Sequence, residues 1–193
     1  MRKMITVKIN GEERQYPQGA TYEDVANDYQ QEYENLIALA ARDGKIRELF
    51  KKLTRDCEVT FFTLKDDVGN KTYVRSATML FLKAVFDVYG REAAQSCRVE
   101  FAIGNGSYIS PKGKINATEE NAAKIRNRMR ELVEAKTPFL KRSYSLDNAM
   151  ELFRKEGMKD KEKLFRYRRG SFVNIYETVS YTHLRAHETS AHL

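Results

Sequence analysis

Polar and hydrophobic residues alternate through the first part of the chain. The alternation over residues 5–9 predicts a half-buried strand, and Asn10-Gly11 supplies the positive φ angles of a tight turn into a partner strand over residues 13–16. Thr21 is placed to cap a helix through Ala26 by accepting a backbone N–H, with Asp24 three residues further on. Alternation returns at residues 37–41 and 57–61, which predicts the remaining strands of this region.

A different periodicity, three and four residues, begins in the second region. Residues 72–90 hold the densest hydrophobic run of the chain, which predicts a helix with a broad buried face formed by Met79, Leu80, Leu82, Val85, Phe86 and Tyr89. Ser76 or Thr78 is expected to cap its start, and Gly90 to end it in a left-handed conformation. The first region, with its hairpin, helix and further strands, has the layout of a small β-grasp module.

Helices and strands are mixed in the rest of the second region. A strand is predicted at residues 99–103, a turn at residues 104–106, and a helix from Thr118 through Ala135. The buried face of that helix is expected to hold Ala122, Ile125, Met129, Leu132 and Val133. A strand over residues 139–144, a helix capped by Ser145 and ended by Gly157, and a strand over residues 172–176 follow. Both regions together predict the α+β class.

Composition changes the picture mainly through charge. The 193 residues carry a formal charge of +7, which favours polyanionic partners such as RNA or nucleotides. Cys57 and Cys97 are far apart and form no metal-type pair, as is typical of a reducing compartment. The first ten residues lack the hydrophobic core of a signal peptide, and no run reaches the roughly 18 hydrophobic residues of a membrane span. We therefore expect a cytoplasmic protein.

Basic residues form three clusters that could contact such a partner. Arg126 and Arg130 lie one helical turn apart and share a face. A second cluster combines Tyr167 with Arg166, Arg168 and Arg169, which suits phosphate contact with base stacking. The third consists of Lys45, Arg47, Lys51, Lys52 and Arg55. The alternative for each cluster is a solvated surface with intrahelical ion pairs, such as Glu131 with Arg128.

The last fifteen residues differ from the rest and contain all three histidines, His183, His187 and His192. Their sequence, VSYTHLRAHETSAHL, resembles a translation product of sequencing-adapter DNA. We therefore expect residues 179–193 to be an artefactual, disordered tail, and the native sequence to continue differently after Thr178. The i, i+4 spacing of His183 and His187 suits a metal, but in such a tail it carries no meaning, so no metal site is predicted.

Two families resemble the two regions. The segments ITVKINGEERQYPQGATYEDVA, LAARDGKIREL and CEVTFFT are similar to a TGS domain, expected at residues 1–65. Residues 66–178 resemble the second additional domain of threonyl- and alanyl-tRNA synthetases through RSATMLFLKAVFDVYG, VEFAIGNGSYIS, TEENAAKIRNRMRELVEAKTPF and SLDNAMELFRKEG. That family edits mischarged tRNA with an HxxxH pair. Arg75 and Met79 occupy those two positions here, so the resemblance implies a degenerate domain without editing chemistry.

A more particular resemblance rests on YVRSATMLFLKAVFDVYG together with MKDKEKLFRYRRGSFVNIYE. These segments are similar to the N-terminal half of bacterial nucleoside kinases of the uridine kinase type. The resemblance implies a non-catalytic regulatory or ligand-binding half of a truncated enzyme, partnered by its own kinase domain. ATP or GTP with magnesium would serve that domain, and no catalytic residue is expected in this chain.

The sequence also suggests a ligand-binding cleft, and two alternatives to the kinase function remain open. A nucleoside, nucleotide or RNA end is expected to contact the arginines Arg75, Arg126, Arg130, Arg166, Arg168 and Arg169. One alternative is a fragment of a threonyl-tRNA synthetase or of a tRNA-editing relative that has lost its histidines. The other is a non-enzymatic RNA-binding module, whose affinity would fall steeply with salt.

Overall fold

The chain divides into two compact units, Met1–Ala77 (unit 1) and Thr78–Leu193 (unit 2). The computed structural model describes residues 3–104, 106–167, 170–178 and 181–183. Both units combine helices with strands, which confirms the predicted α+β class. The domain boundary predicted after residue 65 lies in the turn before the longest helix and stays a prediction.

Unit 1 is built on a five-stranded mixed sheet in the order β2-β1-β5-β3-β4. Its strands are β1 (Met4–Ile9), β2 (Glu12–Pro17), β3 (Ile37–Arg42), β4 (Lys45–Arg47) and β5 (Cys57–Thr63). β1 runs parallel to β5, and the other neighbouring strands are antiparallel. Asn10 and Gly11 have φ angles of 50° and 88°, so the predicted turn between β1 and β2 is confirmed.

Helix α1 (Tyr22–Tyr29) forms one core with this sheet. The backbone N–H of Asp24 donates to Thr21 Oγ1 at 3.1 Å, and the backbone N–H of Thr21 donates to Asp24 Oδ2 at 2.8 Å. This reciprocal capping box lowers the pKa of Asp24, mainly through the Thr21 N–H. Val25 is fully buried among strand residues, which stabilises the unit by about 1.5–3 kcal/mol. A 3₁₀ turn, Gln30–Glu32, follows.

Helix α2 (Asp67–Ser96) begins earlier than its hydrophobic pattern predicts. Ser76 lies inside the helix and its hydroxyl donates to the Thr72 carbonyl at 3.1 Å, so neither Ser76 nor Thr78 is the cap. The periodicity detects only the buried part of a helix, whereas the first turns are polar and carry the Lys71–Asp67 ion pair. The helical dihedral angles break at Gly90, with φ 82° and ψ −179°, and helical residues then continue to Ser96.

The start of α2 packs directly against the end of β5 at Gly69. A Cβ atom on Gly69 would lie 2.0 Å from the Thr63 carbonyl oxygen. No side chain fits at that distance, so glycine is required there for close approach of two backbones rather than for a positive φ.

Unit 2 contains a two-stranded ribbon, a three-stranded sheet and helices. Its elements after α2 are β6 (Arg98–Ile103), β7 (Gly106–Ser110), α3 (Glu119–Glu134), β8 (Leu140–Ser145), α4 (Leu146–Lys155), α5 (Lys159–Phe165), β9 (Phe172–Thr178) and β10 (Tyr181–His183). β6 pairs with β7, and the larger sheet has the order β10-β9-β8, all antiparallel. The predicted caps Thr118 and Ser145 are confirmed, each accepting the backbone N–H three residues on.

Two separate groups of buried side chains form the interior of unit 2. The α2–α3 core consists of Leu82, Ala84, Val85, Ala93, Ala94, Ile115, Ile125 and Leu132. The α4–β9 core consists of Ala149, Phe153, Phe165, Val173 and Ile175. Val133 was expected in the buried face of α3 but is 60% exposed, and Ala122 is also exposed. The buried stripe of α3 is therefore narrower than its composition indicates.

Strand β10 falls in the stretch expected to be disordered. Tyr181 lies opposite Thr178 in an antiparallel pair with β9. Pairing of this kind uses backbone N–H and carbonyl groups, which any extended segment offers whatever its side chains. Residues 179–180 and 184–193, including His187 and His192, lie outside the described residues. The artefactual origin of the tail stays a prediction.

None of the described helices combines the length and the hydrophobic character needed to cross a bilayer.

Candidate nucleic-acid interface

The predicted arginines are distributed over both units. Arg75 is an exposed residue of α2 in unit 1 and, among the described residues, has no ion-pair partner. Met79, the second position of the lost histidine pair, belongs to unit 2 and is 5% exposed. Neither side chain provides the nitrogen ligand and neutral base that an imidazole provides. The absence of editing chemistry stays a prediction.

Helix α3 presents two of the predicted arginines to solvent. At roughly 100° per residue, Arg130 lies roughly 40° from Arg126 around the helix, and Val133 lies roughly 20° from Arg126 on the other side. All three side chains are exposed, Val133 by 60%. They form one stripe, called here the α3 surface. Arg126 Nη2 lies 3.4 Å from Glu119 Oε1, whereas Arg130 pairs with no carboxylate of the described chain.

The neighbouring Arg128 points inward and fixes which side of α3 faces solvent. Its Nε donates to Asp87 Oδ2 at 2.9 Å, and its Nη1 donates to Glu131 Oε2 at 2.7 Å. These carboxylates, Glu131 first, raise the pKa of Arg128. Asp87 also accepts from Lys83 Nζ at 2.5 Å, and Lys83 is 4% exposed. Because this network anchors Arg128 to α2, Arg126 and Arg130 remain on the outer side.

Arg166 is less available than its place in the sequence indicates. Arg166 and Arg154 each lie 3.2 Å from Glu162 Oε1, and together, Arg166 first, they lower the pKa of Glu162. Tyr167 next to them is 88% exposed. The other two arginines of this cluster, Arg168 and Arg169, lie outside the described residues. An ion pair at i, i+4 spacing, between Glu162 of α5 and Arg166 directly after that helix, therefore engages Arg166, as the alternative of a solvated surface with local ion pairs expects.

An exposed aromatic pair on the β6–β7 ribbon was not identified from the sequence. The rings of Phe101 and Tyr108 stack with centroids 5.1 Å apart, and they are 55% and 46% exposed. The two residues face each other in the strand register. The predicted turn at residues 104–106 implies that Phe101 and Tyr108 lie on neighbouring strands. The alternation over residues 99–103, however, predicts that the hydrophobic face of the strand is buried. A ribbon of two strands has no further layer to cover that face.

Across residues 3–104, 106–167, 170–178 and 181–183, no three His, Cys, Asp or Glu side chains are grouped as metal ligands. Cys57 and Cys97 are half-buried free thiols, and burial raises the pKa of both.

No family model matches the chain. Among curated proteins, the threonine–tRNA ligase of Thermotoga neapolitana is 27% identical to this chain over 187 residues. The matched segment covers 90% of this chain and 28% of that protein. The threonine–tRNA ligase of Syntrophotalea carbinolica is 31% identical over 153 residues, and the match covers 72% of this chain and 23% of that protein. The threonine–tRNA ligase of Maricaulis maris is 26% identical over 183 residues, and the match covers 89% of this chain and 28% of that protein. The chain thus spans about a quarter of the length of these relatives.

These findings confirm the resemblance to threonyl-tRNA synthetases and contradict the nucleoside kinase. They support the first of the two alternatives better than the kinase. The prediction of a uridine or nucleoside kinase, with its own kinase domain as partner, is wrong. It relied on the replaced histidine pair and on the expected resemblance of two segments to kinases. Replacing two side chains removes chemistry without changing the fold, so those positions do not separate the two families. Binding of ATP or GTP with magnesium was expected of the kinase domain and not of these residues, so no described residue tests that expectation.

Proposed function

We propose that this chain is an accessory region of the threonine–tRNA ligase type, which binds tRNA and does not itself catalyse aminoacylation. The likeness to such ligases, over 90% of this chain for one of them, supports this proposal. The relatives carry the words "tRNA ligase" in their names, and RNA is the partner class that a charge of +7 favours. The TGS-like region at residues 1–65 and the synthetase-like region at residues 66–178 are part of the same proposal.

The observation that carries the proposal is the α3 surface. Arg126 and Arg130 are exposed one turn apart. Asp87 is engaged by Lys83 and Arg128, and Glu119 lies 3.4 Å from Arg126, so Arg130 is the arginine of this surface without a carboxylate partner among the described residues. A guanidinium presents a planar fork of N–H donors that matches two phosphate oxygens. Two such groups at helical spacing therefore suit neighbouring phosphates of an RNA backbone, with Val133 providing an apolar edge beside them.

The proposal includes no hydrolysis of mischarged tRNA. The guanidinium of Arg75 offers only N–H donors and cannot act as a base, and the Met79 thioether is only a weak hydrogen-bond acceptor. Arg75 is retained as an additional phosphate contact. Arg166 is expected to contribute less than Arg130, because Glu162 already neutralises it.

Binding of deacylated tRNA by the double variant Arg126→Gln/Arg130→Gln tests the proposal. Fluorescence anisotropy at several salt concentrations measures both the affinity and its dependence on salt. Each lost phosphate contact should reduce the slope of log affinity against log salt by about one, so the double variant should lose about two. At moderate salt we expect about tenfold weaker binding.

A matched control removes two lysines that already pair within their own helices, Lys71→Gln/Lys124→Gln. It changes the net charge by the same amount but leaves the α3 surface intact, so its salt slope should stay close to that of the unmodified chain. Equal losses in the two double variants would contradict a specific surface. A second comparison uses an unrelated RNA hairpin: a preference for tRNA supports the ligase type, and equal affinity favours a general RNA-binding module.

A further inference from the structure

The free edge of the unit 1 sheet carries a second basic and aromatic surface. It consists of Lys45, Ile46 and Arg47 in β4 and of Phe50, Lys51 and Lys52 in the segment that follows, and is called here the β4 surface. Among the described strands, β4 pairs with β3 alone, so no described strand covers its outer edge. Ile46 is 50% exposed and Phe50 is 45% exposed. The Lys51 ammonium lies 5.0 Å from the centre of the Phe50 ring.

Backbone hydrogen bonds hold the segment with Phe50 and the two lysines in place. The first N–H groups of α1 donate to this segment, from Tyr22 to the Lys51 carbonyl at 3.0 Å and from Glu23 to the Leu49 carbonyl at 2.8 Å. Leu53 closes the segment with a side chain that is 1% exposed. The exposed ring and its lysines therefore stand on a fixed backbone, which reduces the conformational entropy lost when a ligand binds.

The β4 surface carries a net positive charge. Residues 45–52 contain four cationic side chains and a single acid, Glu48. Asp43, in the turn before β4, accepts from Arg55 at 2.8 Å and from the Glu58 N–H at 3.1 Å, and this N–H lowers its pKa. No carboxylate in the described part of the chain forms an ion pair with Lys45 or Lys52.

We infer that the β4 surface binds single-stranded RNA, with one base stacked on Phe50 and the flanking phosphates on Lys45, Lys51 and Lys52. An exposed aromatic ring among lysines matches a ligand that alternates planar bases with anionic phosphates. This inference deepens the proposed function, on which it rests for the class of ligand, by assigning unit 1 an RNA contact separate from the α3 surface. A polyanion without bases would use the lysines and leave the ring unused.

The chain contains no tryptophan, so Phe50→Trp creates a fluorescent reporter on the surface itself. Titration of the full chain with an oligouridine of about ten nucleotides should quench this tryptophan, because a base stacks on the indole. The quenching should weaken as salt is raised. A Tyr73→Trp variant, at a site of unit 1 that is 53% exposed and lies in α2, is the matched control and should not be quenched.

Two variants separate stacking from charge. Phe50→Ala should weaken oligouridine binding about tenfold with an unchanged salt slope, while Lys51→Gln/Lys52→Gln should reduce the slope by about two. All three positions are exposed, and circular dichroism checks that the variants fold. Arg126→Gln/Arg130→Gln should leave oligouridine quenching intact, so failure of the α3 surface and failure of the β4 surface are distinguishable.

Three results would overturn the inference. Absence of quenching at RNA concentrations that saturate the anisotropy signal would show that the RNA binds elsewhere. Equal competition by inorganic polyphosphate, with no effect of Phe50→Ala, would leave only a polyanion surface. A blue shift with phosphatidylserine vesicles and no response to RNA would assign the surface to a membrane.

Discussion

Strands β1 in unit 1 and β6 in unit 2 have the same alternating pattern but different surroundings. Val7 and Ile9 of β1 are fully buried, whereas Phe101 and Ile103 of β6 are 55% and 60% exposed. β1 lies inside a five-stranded sheet that shares its core with α1, and β6 belongs to a two-stranded ribbon. Alternation therefore shows which residues share a face, and a covering layer decides whether that face is buried.

The interiors of the two units differ in the same way. The core of unit 1 is a single group of side chains from β1, β3, β5, α1 and the adjoining loop. Unit 2 has the α2–α3 core and the α4–β9 core. The Gln95 side chain donates to the Glu156 carbonyl at 2.8 Å, and Arg91 pairs with the Glu156 carboxylate, so polar contacts also join elements of unit 2. A cavity in one core should therefore affect that core first.

The largest expected effect is that of Phe153→Ala in the α4–β9 core. Phe153 is fully buried and packs on Phe165 with ring centroids 4.9 Å apart. Truncation should cost about 3–5 kcal/mol of the free energy of unfolding of unit 2. Amide hydrogen exchange should show lost protection in α4 and β9 and unchanged protection in β1 and β5. Val25→Ala should give the reverse pattern, and equal losses in both units would contradict separate cores.

Unit 2 has a buried ion pair between Lys83 and Asp87, whereas the described core of unit 1 contains no charged side chain. Asp87→Ala would leave the Lys83 ammonium, on a side chain that is 5% exposed, without its carboxylate, at a cost of about 3–5 kcal/mol. Lys83→Met keeps the volume, and Asp87 retains Arg128, so its cost should stay within about 1 kcal/mol. Urea unfolding measures both. Equal costs would show that the pair itself, rather than the orphaned charge, sets the stability.

The smallest expected effects concern the helix caps. Thr21→Ala in unit 1 removes both hydrogen bonds of the Thr21 hydroxyl with Asp24, and Thr118→Ala in unit 2 removes one bond of 3.3 Å from the Asn121 N–H. Urea unfolding should show a loss of about 1–2 kcal/mol for the first and about 0.5–1 kcal/mol for the second. Thr21→Ser should restore most of the loss. A larger loss for Thr118→Ala would contradict the ranking.

The cap of α1 should also depend on pH. Because the folded-state pKa of Asp24 lies below its ordinary 3.8, the stability it contributes is present above that value. It is lost as the pH falls through the lowered folded-state pKa. The difference in the free energy of unfolding between Asp24→Asn and the unmodified chain should therefore shrink at acidic pH and stay constant between pH 5 and pH 7.

Local chemistry allowed much of the fold to be predicted. The Asn10-Gly11 turn and the Thr21, Thr118 and Ser145 caps depend on residues within three positions, and all four are confirmed. The start of α2 at Asp67 could not be predicted, since its polar first turns carry no hydrophobic period. The candidate site was predicted in part. Arg126 and Arg130 share an exposed face, while Arg166 is neutralised by Glu162.

The sequence alone determined the α+β class, the turns and caps, the basic charge and the absence of an imidazole at positions 75 and 79, because each depends on residue type or on neighbours along the chain. Only the tertiary structure decided that Phe101 and Tyr108 remain exposed, that Arg128 turns inward to Asp87, and that Lys51 and Lys52 stand on a braced segment beside an open strand edge. These properties depend on contacts between residues far apart in sequence. Hydrophobic period and charge count do not encode which layer covers a face or which carboxylate reaches a given cation.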